Sequence, residues 1–143
     1  MLTYDWNRTL PTEQVLELYK SVQWSVYTDN PEVLMKAMTQ SLAILSAWED
    51  ERLVGLIRVV GDNATILYIQ DILVHPDYQR RGIGTYLMRE TLRRYAPIRQ
   101  KVLATDNTAK MWQFYESCGF LSNEQLNCIC YFRDEYHMPP LEL

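Results

Sequence analysis

A glycine-containing segment near the middle of the chain has the residue types of an anion-binding loop. Residues 74–85 read Val-His-Pro-Asp-Tyr-Gln-Arg-Arg-Gly-Ile-Gly-Thr, between a β-rich run and an amphipathic helical pattern. Gly82 and Gly84 let the backbone approach a ligand closely, and the N–H groups in the first turn of a helix bind phosphate oxygens. The segment therefore predicts a phosphate site, with an ordinary turn and helix start as the alternative.

The spacing of these glycines excludes two common phosphate-binding motifs. A dinucleotide fingerprint needs a third glycine three residues after Gly84, and the chain has Leu87 there. The Gly-Lys-Ser/Thr sequence of a P-loop is also absent from the chain. The loop by itself therefore does not identify its ligand.

The charge distribution favours a local anionic ligand. The net charge is −4 and the pI about 5.2, which argues against general nucleic-acid binding. Residues 79–101 nevertheless carry +6, from seven basic side chains and Glu90, so the other 120 residues carry −10. A solvated helix face is the alternative explanation of this basic segment.

Hydrophobic periodicity and cap residues predict the elements that position the loop. Helices are predicted over 12–22, over 31–40 behind Asn30, over 83–95, and after Asp106-Asn107-Thr108. Strands are predicted over 42–48, 53–60, 65–74, 99–104 and 126–132, the first three as an antiparallel meander. This order indicates a mixed α/β or α+β domain with one strand–helix–strand crossover.

The loop and its flanking segments resemble the GCN5-related N-acetyltransferase (GNAT) family. Residues 79–84 match the family's Q/R-x-x-G-x-G/A signature, residues 72–76 resemble its strand ending in Val-x-Pro, and residues 114–120 resemble its F-Y-E-x-x-G-F segment. The resemblance covers residues 43–133 well, whereas residues 1–42 match only as two helices. It implies an α/β (α+β) fold with a mixed, mostly antiparallel sheet of about six to seven strands, about four helices and a splayed strand pair.

The domain organisation that the resemblance implies is one N-acetyltransferase-like domain over residues 1–143. Residues 1–42 would form a two-helix region on the acceptor side, and residues 43–133 would form the cofactor-binding core. Residues 134–143 would form a tail.

The resemblance implies acetyl-CoA as the co-substrate, bound between the strands 65–74 and 99–104. Backbone groups of residues 72–74 would hold the pantetheine and the thioester carbonyl, and N–H groups of residues 81–85 would hold the pyrophosphate. The implied cofactor-binding residues are Ile72, Leu73, Val74, Gln79, Arg80, Arg81, Gly82, Ile83, Gly84, Thr85, Asn107 and Thr108.

Tyr115 matches the tyrosine that protonates the departing CoA thiolate in many family members. A phenol titrates near pH 10, so it is protonated at neutral pH and suits a general acid. The alternative is a core tyrosine on an apolar helix stripe. Many members carry an Asn seven residues earlier, where this chain has Thr108; either Thr108 or Asn107 could contact the cofactor, or Asn107 could only cap the helix.

The general base is not universal in this family. Asp71 is the only carboxylate on the motif strand and is therefore the candidate base, acting through water. The alternative interpretation is a carboxylate that is satisfied by backbone groups or by an arginine near the strand bulge.

The acetyl acceptor is expected to bind near the first two helices, with Trp24, Tyr27 and Asp29, and with Gln70 from the motif strand. Aromatic rings and a carboxylate suit an ammonium group, although Trp24 and Tyr27 could instead pack the helices onto the sheet. We expect an N-acetyltransferase acting on a small primary amine. A protein N-terminal or lysine acetyltransferase is the nearer alternative, and a non-catalytic acyl-CoA sensor is an alternative of another class.

Further expectations concern metals, membranes and location. The Cys-x-Cys pair at 128 and 130 lacks partner ligands, so no metal is predicted. No apolar stretch is long enough to span a membrane, and residues 1–6 lack a signal-peptide pattern. Three cysteines without such a signal favour a reducing cytoplasm. Neither membrane nor nucleic-acid partners are predicted, and a homodimer is left open.

Overall fold

The computed structural model describes residues 1–142 and divides into two compact units, residues 1–106 and the part from Asn107 onward. The strands are β1 (Leu2–Asp5), β2 (Ala43–Glu49), β3 (Arg52–Gly61), β4 (Ile66–Val74) and β5 (Gln100–Leu103). The α-helices are α1 (Thr12–Ser21), α2 (Ser25–Thr28), α3 (Pro31–Gln40), α4 (Ile83–Arg94) and α5 (Ala109–Ser117). The single-domain organisation, with divisions after residues 42 and 133, stays a prediction.

The five strands form one sheet in the order β1-β2-β3-β4-β5. The pairs from β1 to β4 are antiparallel, which confirms the predicted meander, and β5 is parallel to β4. A parallel neighbour requires a crossover connection, and the chain between β4 and β5 contains α4. The predicted crossover is thus confirmed.

β4 is the strand at which the regular sheet is interrupted on both sides. It pairs with β5 only from Ile66 opposite Gln100 to Ile69 opposite Leu103, and then continues past the end of β5 to Val74 with β3 as its one neighbouring strand. On the other side the register with β3 shifts, so that Gln70 stands between two paired positions as a bulge. The last five residues of β4 therefore border an opening that β5 does not fill.

The helices of the first unit cover both faces of the sheet. Side chains of α1 and α3 pack in one cluster with Leu56 and Leu73, which are almost completely buried. Successive strand residues point to opposite faces, and Gly55, next to Leu56, faces Ile83 of α4. The helix α4 therefore packs on the other face, where Ile83 anchors its first turn in the core.

The second unit begins with α5 and differs from the expectation in its last part. The side chain of Thr108 caps α5 by accepting a hydrogen bond from the Met111 N–H, and Gly119 follows the helix with φ +93°. The strand predicted over 126–132 is wrong: these residues are exposed and irregular. Their backbone N–H groups bond locally, as from Cys128 to the Asn123 carbonyl, and residues 107–142 contain no strand with which they could pair.

The element counts also need correction. The sheet has five strands within the described residues rather than six to seven, because the segment at 126–132 adds none. There are five α-helices rather than four, because the single turn Ser25–Thr28 is a separate helix. The edge strand β1 was not expected, since four residues are too few for a reliable alternating pattern.

Candidate functional site

A side chain of the loop between β4 and α4 ties the loop back to the end of β4. A 3-10 turn spans Pro76–Tyr78, and the amide of Gln79 reaches back to donate a hydrogen bond to the Val74 carbonyl at 3.0 Å. Arg80 and Gly82 both have positive φ, +65° and +78°. These turns reverse the chain so that α4 begins beside the end of β4, where Val74 and Ile83 both lie next to Gly55.

The N-terminus of α4 is open to a ligand. Gly82 is its N-cap, and no side chain caps the helix there. A Cβ on Gly82 would meet nothing within 4 Å, so the space beside this residue is open. The first N–H groups of a helix lack intrahelical acceptors and form the positive end of its dipole. The N–H groups of Gly82 and of the following residues Ile83, Gly84 and Thr85 therefore form a cradle that fits a phosphate group.

The strand residues expected to bind the cofactor lie beside this cradle. Ile72, Leu73 and Val74 belong to the part of β4 beyond its pairing with β5. Leu73 buries its side chain in the core, whereas Ile72 and Val74 are half-buried. The opening between the strands and the helix N-terminus are therefore adjacent, as the resemblance implies.

Two basic side chains stand at the same loop. Arg80 and Arg81 are exposed, and the Arg81 guanidinium lies 5.0 Å from the centre of the Tyr78 ring. A cation over an aromatic face is held loosely in place without losing its charge. Both arginines are thus available to a polyanionic ligand.

A buried polar network lies on the other side of the β4 bulge and centres on Asp71. This residue is 3% exposed. Its Oδ2 accepts hydrogen bonds from Nε of Arg58 at 2.8 Å and from the hydroxyl of Tyr19 at 2.9 Å, and its Oδ1 accepts from the hydroxyl of Tyr27 at 2.7 Å. Asp71 therefore has the arrangement of the alternative interpretation, a carboxylate satisfied by an arginine near the bulge; its role as a base stays a prediction.

Burial and neighbouring charge shift the pKa values of this network so that its donors keep their protons. Burial, and then the charge of Asp71, raise the pKa of Tyr19 well above its ordinary value and that of Tyr27 above it. Burial disfavours the charged form of Arg58, but the Asp71 carboxylate outweighs this effect and raises the pKa of the guanidinium. At neutral pH the network therefore has two phenol donors and one cation around a single carboxylate.

Three of the four residues expected at the acceptor site come together. Gln70, the exposed bulge residue, donates from Nε2 to the Tyr27 hydroxyl oxygen at 3.2 Å. The Trp24 ring lies 6.2 Å from that of Tyr27, centre to centre. Asp29 lies exposed at the end of α2, outside this set of contacts.

Sequence reasoning missed two residues of this network, Tyr19 and Arg58. In the sequence, Tyr19 falls at helical spacing with Val15, so it is indistinguishable from an apolar core position of the first helix. Arg58 gave a usable signal, since it is the only charged residue of the apolar run 53–60. A lone charge in a strand of that kind is expected to have a buried partner.

In the second unit, the polar residues before α5 have local partners. Thr108 caps the helix, and the Asn107 carbonyl oxygen accepts from Trp112 Nε1 at 2.8 Å. Tyr115 is half-buried and its ring packs edge-on against Phe120, with centres 6.1 Å apart. The cofactor contacts of Asn107 and Thr108 and the acid role of Tyr115 stay predictions.

Residues 1–142 contain neither a metal-binding cluster nor a membrane-spanning helix. No three side chains of His, Cys, Asp or Glu are grouped as a metal ion would require within that range. Nor does any helix there combine the length and apolar character that crossing a membrane demands.

Comparison with known proteins decides the family. The sequence profile of the acetyltransferase (GNAT) family matches residues 5–120. The chain belongs to the GNAT acetyltransferase family. The match starts well before residue 43, so it includes the N-terminal helices as well. The resemblance noted in the loop and its flanks is thereby confirmed, and so is the mixed α/β GNAT fold.

Individual relatives agree with this assignment. An uncharacterized N-acetyltransferase, ycf52-like, from Prochlorococcus marinus is 33% identical over 119 residues, 79% of this chain and 64% of that protein. The chain thus spans less than two thirds of this relative. A GNAT family acetyltransferase from Streptococcus pneumoniae TIGR4 superposes with a TM-score of 0.82 at 36% identity, covering 94% of this chain and 98% of the other.

A more distant neighbour shows the fold alone. PaiA N-acetyltransferase from Thermoplasma acidophilum, whose structure was solved in complex with coenzyme A, has a TM-score of 0.69 at 16% identity. The alignment covers 82% of this chain and 87% of that one.

Proposed function

We propose that this GNAT protein is an N-acetyltransferase that moves the acetyl group of acetyl-CoA to a primary amine of a small molecule. The observation that carries the proposal is the uncapped N-terminus of α4 at Gly82, beside the part of β4 that has left β5. In a member of this family, these two features are the expected places for the pyrophosphate and the pantetheine arm of CoA.

Each part of the cofactor then has residues of this chain to hold it. The N–H groups of residues 81–85 bind the pyrophosphate, and Arg80 and Arg81 add positive charge. Backbone groups of residues 72–74 hold the pantetheine and the thioester carbonyl. Gln79 braces the loop through the Val74 carbonyl, so its contribution to binding is indirect.

Acetyl-CoA supplies the activated acetyl group, to which the acceptor nitrogen forms an amide bond as the CoA thiolate leaves. Tyr115 gives its phenolic proton to that thiolate, the role that the family resemblance implies, while the attacking amine loses one proton to water and the Tyr115 phenolate regains one from water. Asp71 is a poor candidate to take the proton of the amine directly, because Arg58 and two phenols already engage its oxygens. Its contribution is to position its neighbours.

A cationic amine suits the charge of the chain. Outside residues 79–101 the protein carries −10, which attracts cations over a distance set by the ionic strength. A peptide N-terminus or a lysine side chain is also a cationic amine, so a protein acceptor is the alternative that the first assays should include.

Calorimetric titration with acetyl-CoA tests the cofactor site. Micromolar binding is expected, with 3′-dephospho-CoA as the comparison ligand. Arg81→Ala should weaken binding, whereas Arg93→Ala in the last turn of α4, about 15 Å along the helix, should leave it unchanged. Absence of acetyl-CoA binding, with and without amines present, would contradict the proposal.

A thiol-release assay tests turnover with a panel of acceptors: an aliphatic diamine, an aromatic amine, a peptide with a free α-amino group and a peptide with an internal lysine. Release that depends on one of the small amines supports the proposed substrate class. Release only with a peptide favours a protein acetyltransferase. Tight acetyl-CoA binding without release for any amine favours the sensor alternative.

A further inference from the structure

The hydroxyl of Tyr27 is the point at which the buried network reaches the surface. It donates a hydrogen bond to Oδ1 of Asp71 at 2.7 Å, and its oxygen accepts one from Nε2 of Gln70 at 3.2 Å. An Arg58 nitrogen also approaches it, at 3.4 Å. Asp71 and Arg58 are buried, whereas Tyr27 is half-buried and Gln70 is exposed. The oxygen of Tyr27 therefore links a sealed ion pair to an accessible surface.

The network fixes the direction of the hydrogen bond at Tyr27. All three groups around the Asp71 carboxylate, one guanidinium and two phenols, are donors, so the carboxylate acts only as an acceptor. The single proton of Tyr27 is committed to Asp71. Toward the surface, its oxygen can only accept.

The position of Gln70 agrees with that polarity. An amide placed against an oxygen that has no proton to offer must present its NH2 group, because its carbonyl oxygen would face another acceptor. The Gln70 side chain is exposed and belongs to a bulge residue, so a ligand can displace it. Its NH2 group marks the place where another N–H donor fits.

The Tyr27 ring is held so that this oxygen stays in place. Its centre lies 5.1 Å from that of Tyr19, at an interplanar angle of 70°, and 6.2 Å from that of Trp24. Both rings belong to the packing around the main cluster. Aromatic packing on two sides and hydrogen bonds at the hydroxyl leave little freedom for the phenol.

The location is the apex of the opening in the sheet. Gln70 follows directly on Ile69, the last residue of β4 that pairs with β5, and the segment 72–74 assigned to the thioester begins two residues later. Gln70, which contacts the Tyr27 oxygen, is thus only two residues from the segment proposed to hold the thioester carbonyl.

We propose that the Tyr27 hydroxyl oxygen accepts a hydrogen bond from the acceptor amine and orients the attacking nitrogen, with Arg58 and Asp71 as positioning residues that fix the polarity of the phenol. This inference rests on the proposed function. It specifies an acceptor that presents an N–H group to a neutral oxygen, since the charges of Arg58 and Asp71 cancel each other beneath it. No proton is transferred to Tyr27 in this role.

Two matched variants test the role. Tyr27→Phe and Tyr19→Phe each remove one phenol that donates to the same carboxylate, but only Tyr27 reaches the accessible side. We expect both variants to melt at lower temperature than the wild type and to bind acetyl-CoA as it does. Tyr27→Phe should lower kcat/KM for the amine about 3- to 10-fold, the range for one hydrogen bond between uncharged groups. Tyr19→Phe should change it less than threefold.

A third variant tests the displaceable amide. Gln70→Ala should raise kcat/KM for the amine, because the amide that competes for the Tyr27 oxygen is removed. A large loss of activity in Gln70→Ala would overturn the inference that the amine displaces the Gln70 amide. It would indicate instead that Gln70 itself binds the substrate.

The outcomes separate this inference from the proposed function. Wild-type binding of acetyl-CoA and amine-dependent thiol release, with equal kinetics in Tyr27→Phe and Tyr19→Phe, would overturn the inference and leave the proposed function intact. Loss of acetyl-CoA binding in Tyr27→Phe alone would also overturn it. A wild-type protein that releases no thiol with any amine of the panel would overturn both.

Discussion

Arg58 and Asp71 face each other across β3 and β4, with Nε of the arginine 2.8 Å from Oδ2 of the aspartate. They are the last paired residues before the bulge at Gln70, and they are 5% and 3% exposed. A charged pair at this position needs all of its hydrogen bonds to be satisfied. The two tyrosine hydroxyls and the Ser41 hydroxyl supply the remaining partners.

The first prediction concerns the stability of this pair. Arg58→Leu leaves the Asp71 carboxylate buried without its counter-charge, and should lower the free energy of unfolding by about 3–5 kcal/mol. The double variant Arg58→Leu/Asp71→Leu removes the stranded charge and should be more stable than Arg58→Leu alone. Urea unfolding measures both. If the double variant loses as much free energy of unfolding as Arg58→Leu and Asp71→Leu lose together, the two residues are not coupled.

The second prediction concerns Tyr115. Tyr115→Phe should lower kcat about 100-fold or more while the Kd of acetyl-CoA stays unchanged, because a general acid acts in the transition state and not in cofactor binding. Tyr136→Phe, at an exposed tyrosine in the same part of the chain, is the control. Normal turnover by Tyr115→Phe would exclude the acid role while leaving the family assignment untouched.

The third prediction concerns Gly82. A methyl group there enters the space above the first turn of α4, and should weaken acetyl-CoA binding about 10- to 100-fold, the equivalent of one hydrogen bond to a charged group. The left-handed backbone also disfavours alanine by about 1–2 kcal/mol. Gly119→Ala is the matched control, since Gly119 also has positive φ and open space. Equal losses of affinity in the two variants would mean that only backbone strain is being measured.

The fourth prediction concerns pH and the turn between β3 and β4. The Thr65 hydroxyl donates to Oδ2 of Asp62, and the N–H groups of Thr65, Ile66 and Ala64 donate to its Oδ1. The hydroxyl first, and then these backbone bonds, hold the pKa of Asp62 well below its ordinary value. A depressed pKa adds stability above the ordinary aspartate pKa near 4, and this stability is lost as the pH falls toward the folded-state value.

Asp62→Asn should therefore melt below the wild type at pH 7, and the difference in Tm should shrink as the pH falls below about 4. Thermal unfolding followed by circular dichroism at several pH values checks this. Asp106→Asn, at an exposed aspartate outside the turn, should follow the wild type. A Tm difference for Asp62→Asn that is constant with pH would assign the effect to packing and not to charge.

The sequence was most informative where short-range rules act. The caps at Asn30 and Thr108 and the helix from Ile83 all depend on residues within a few positions of each other. The prediction of a phosphate site at the glycine loop has the same basis, because a glycine backbone and a helix N-terminus are local properties. Its ligand could be named only through the family resemblance.

The strand predicted over 126–132 shows the limit of local rules. Its residues have β-forming side chains, but a strand also needs a partner whose backbone can complete its hydrogen bonds. Residues 107–142 offer none, and turn bonds such as that from Leu126 to Ser122 satisfy the backbone instead. A short stretch of sequence does not show whether a partner strand is available elsewhere in the fold.

What the sequence alone determined is the order of most elements, the open loop at Gly82 and the family. What only the tertiary structure decided is the state of Asp71. Its partners Tyr19, Tyr27 and Arg58 lie 52, 44 and 13 residues away along the chain. Whether this carboxylate is open to solvent or held in a buried ion pair depends on which distant side chains the sheet and helices bring to it, because burial and hydrogen bonding, not residue type, set the chemistry of a carboxylate.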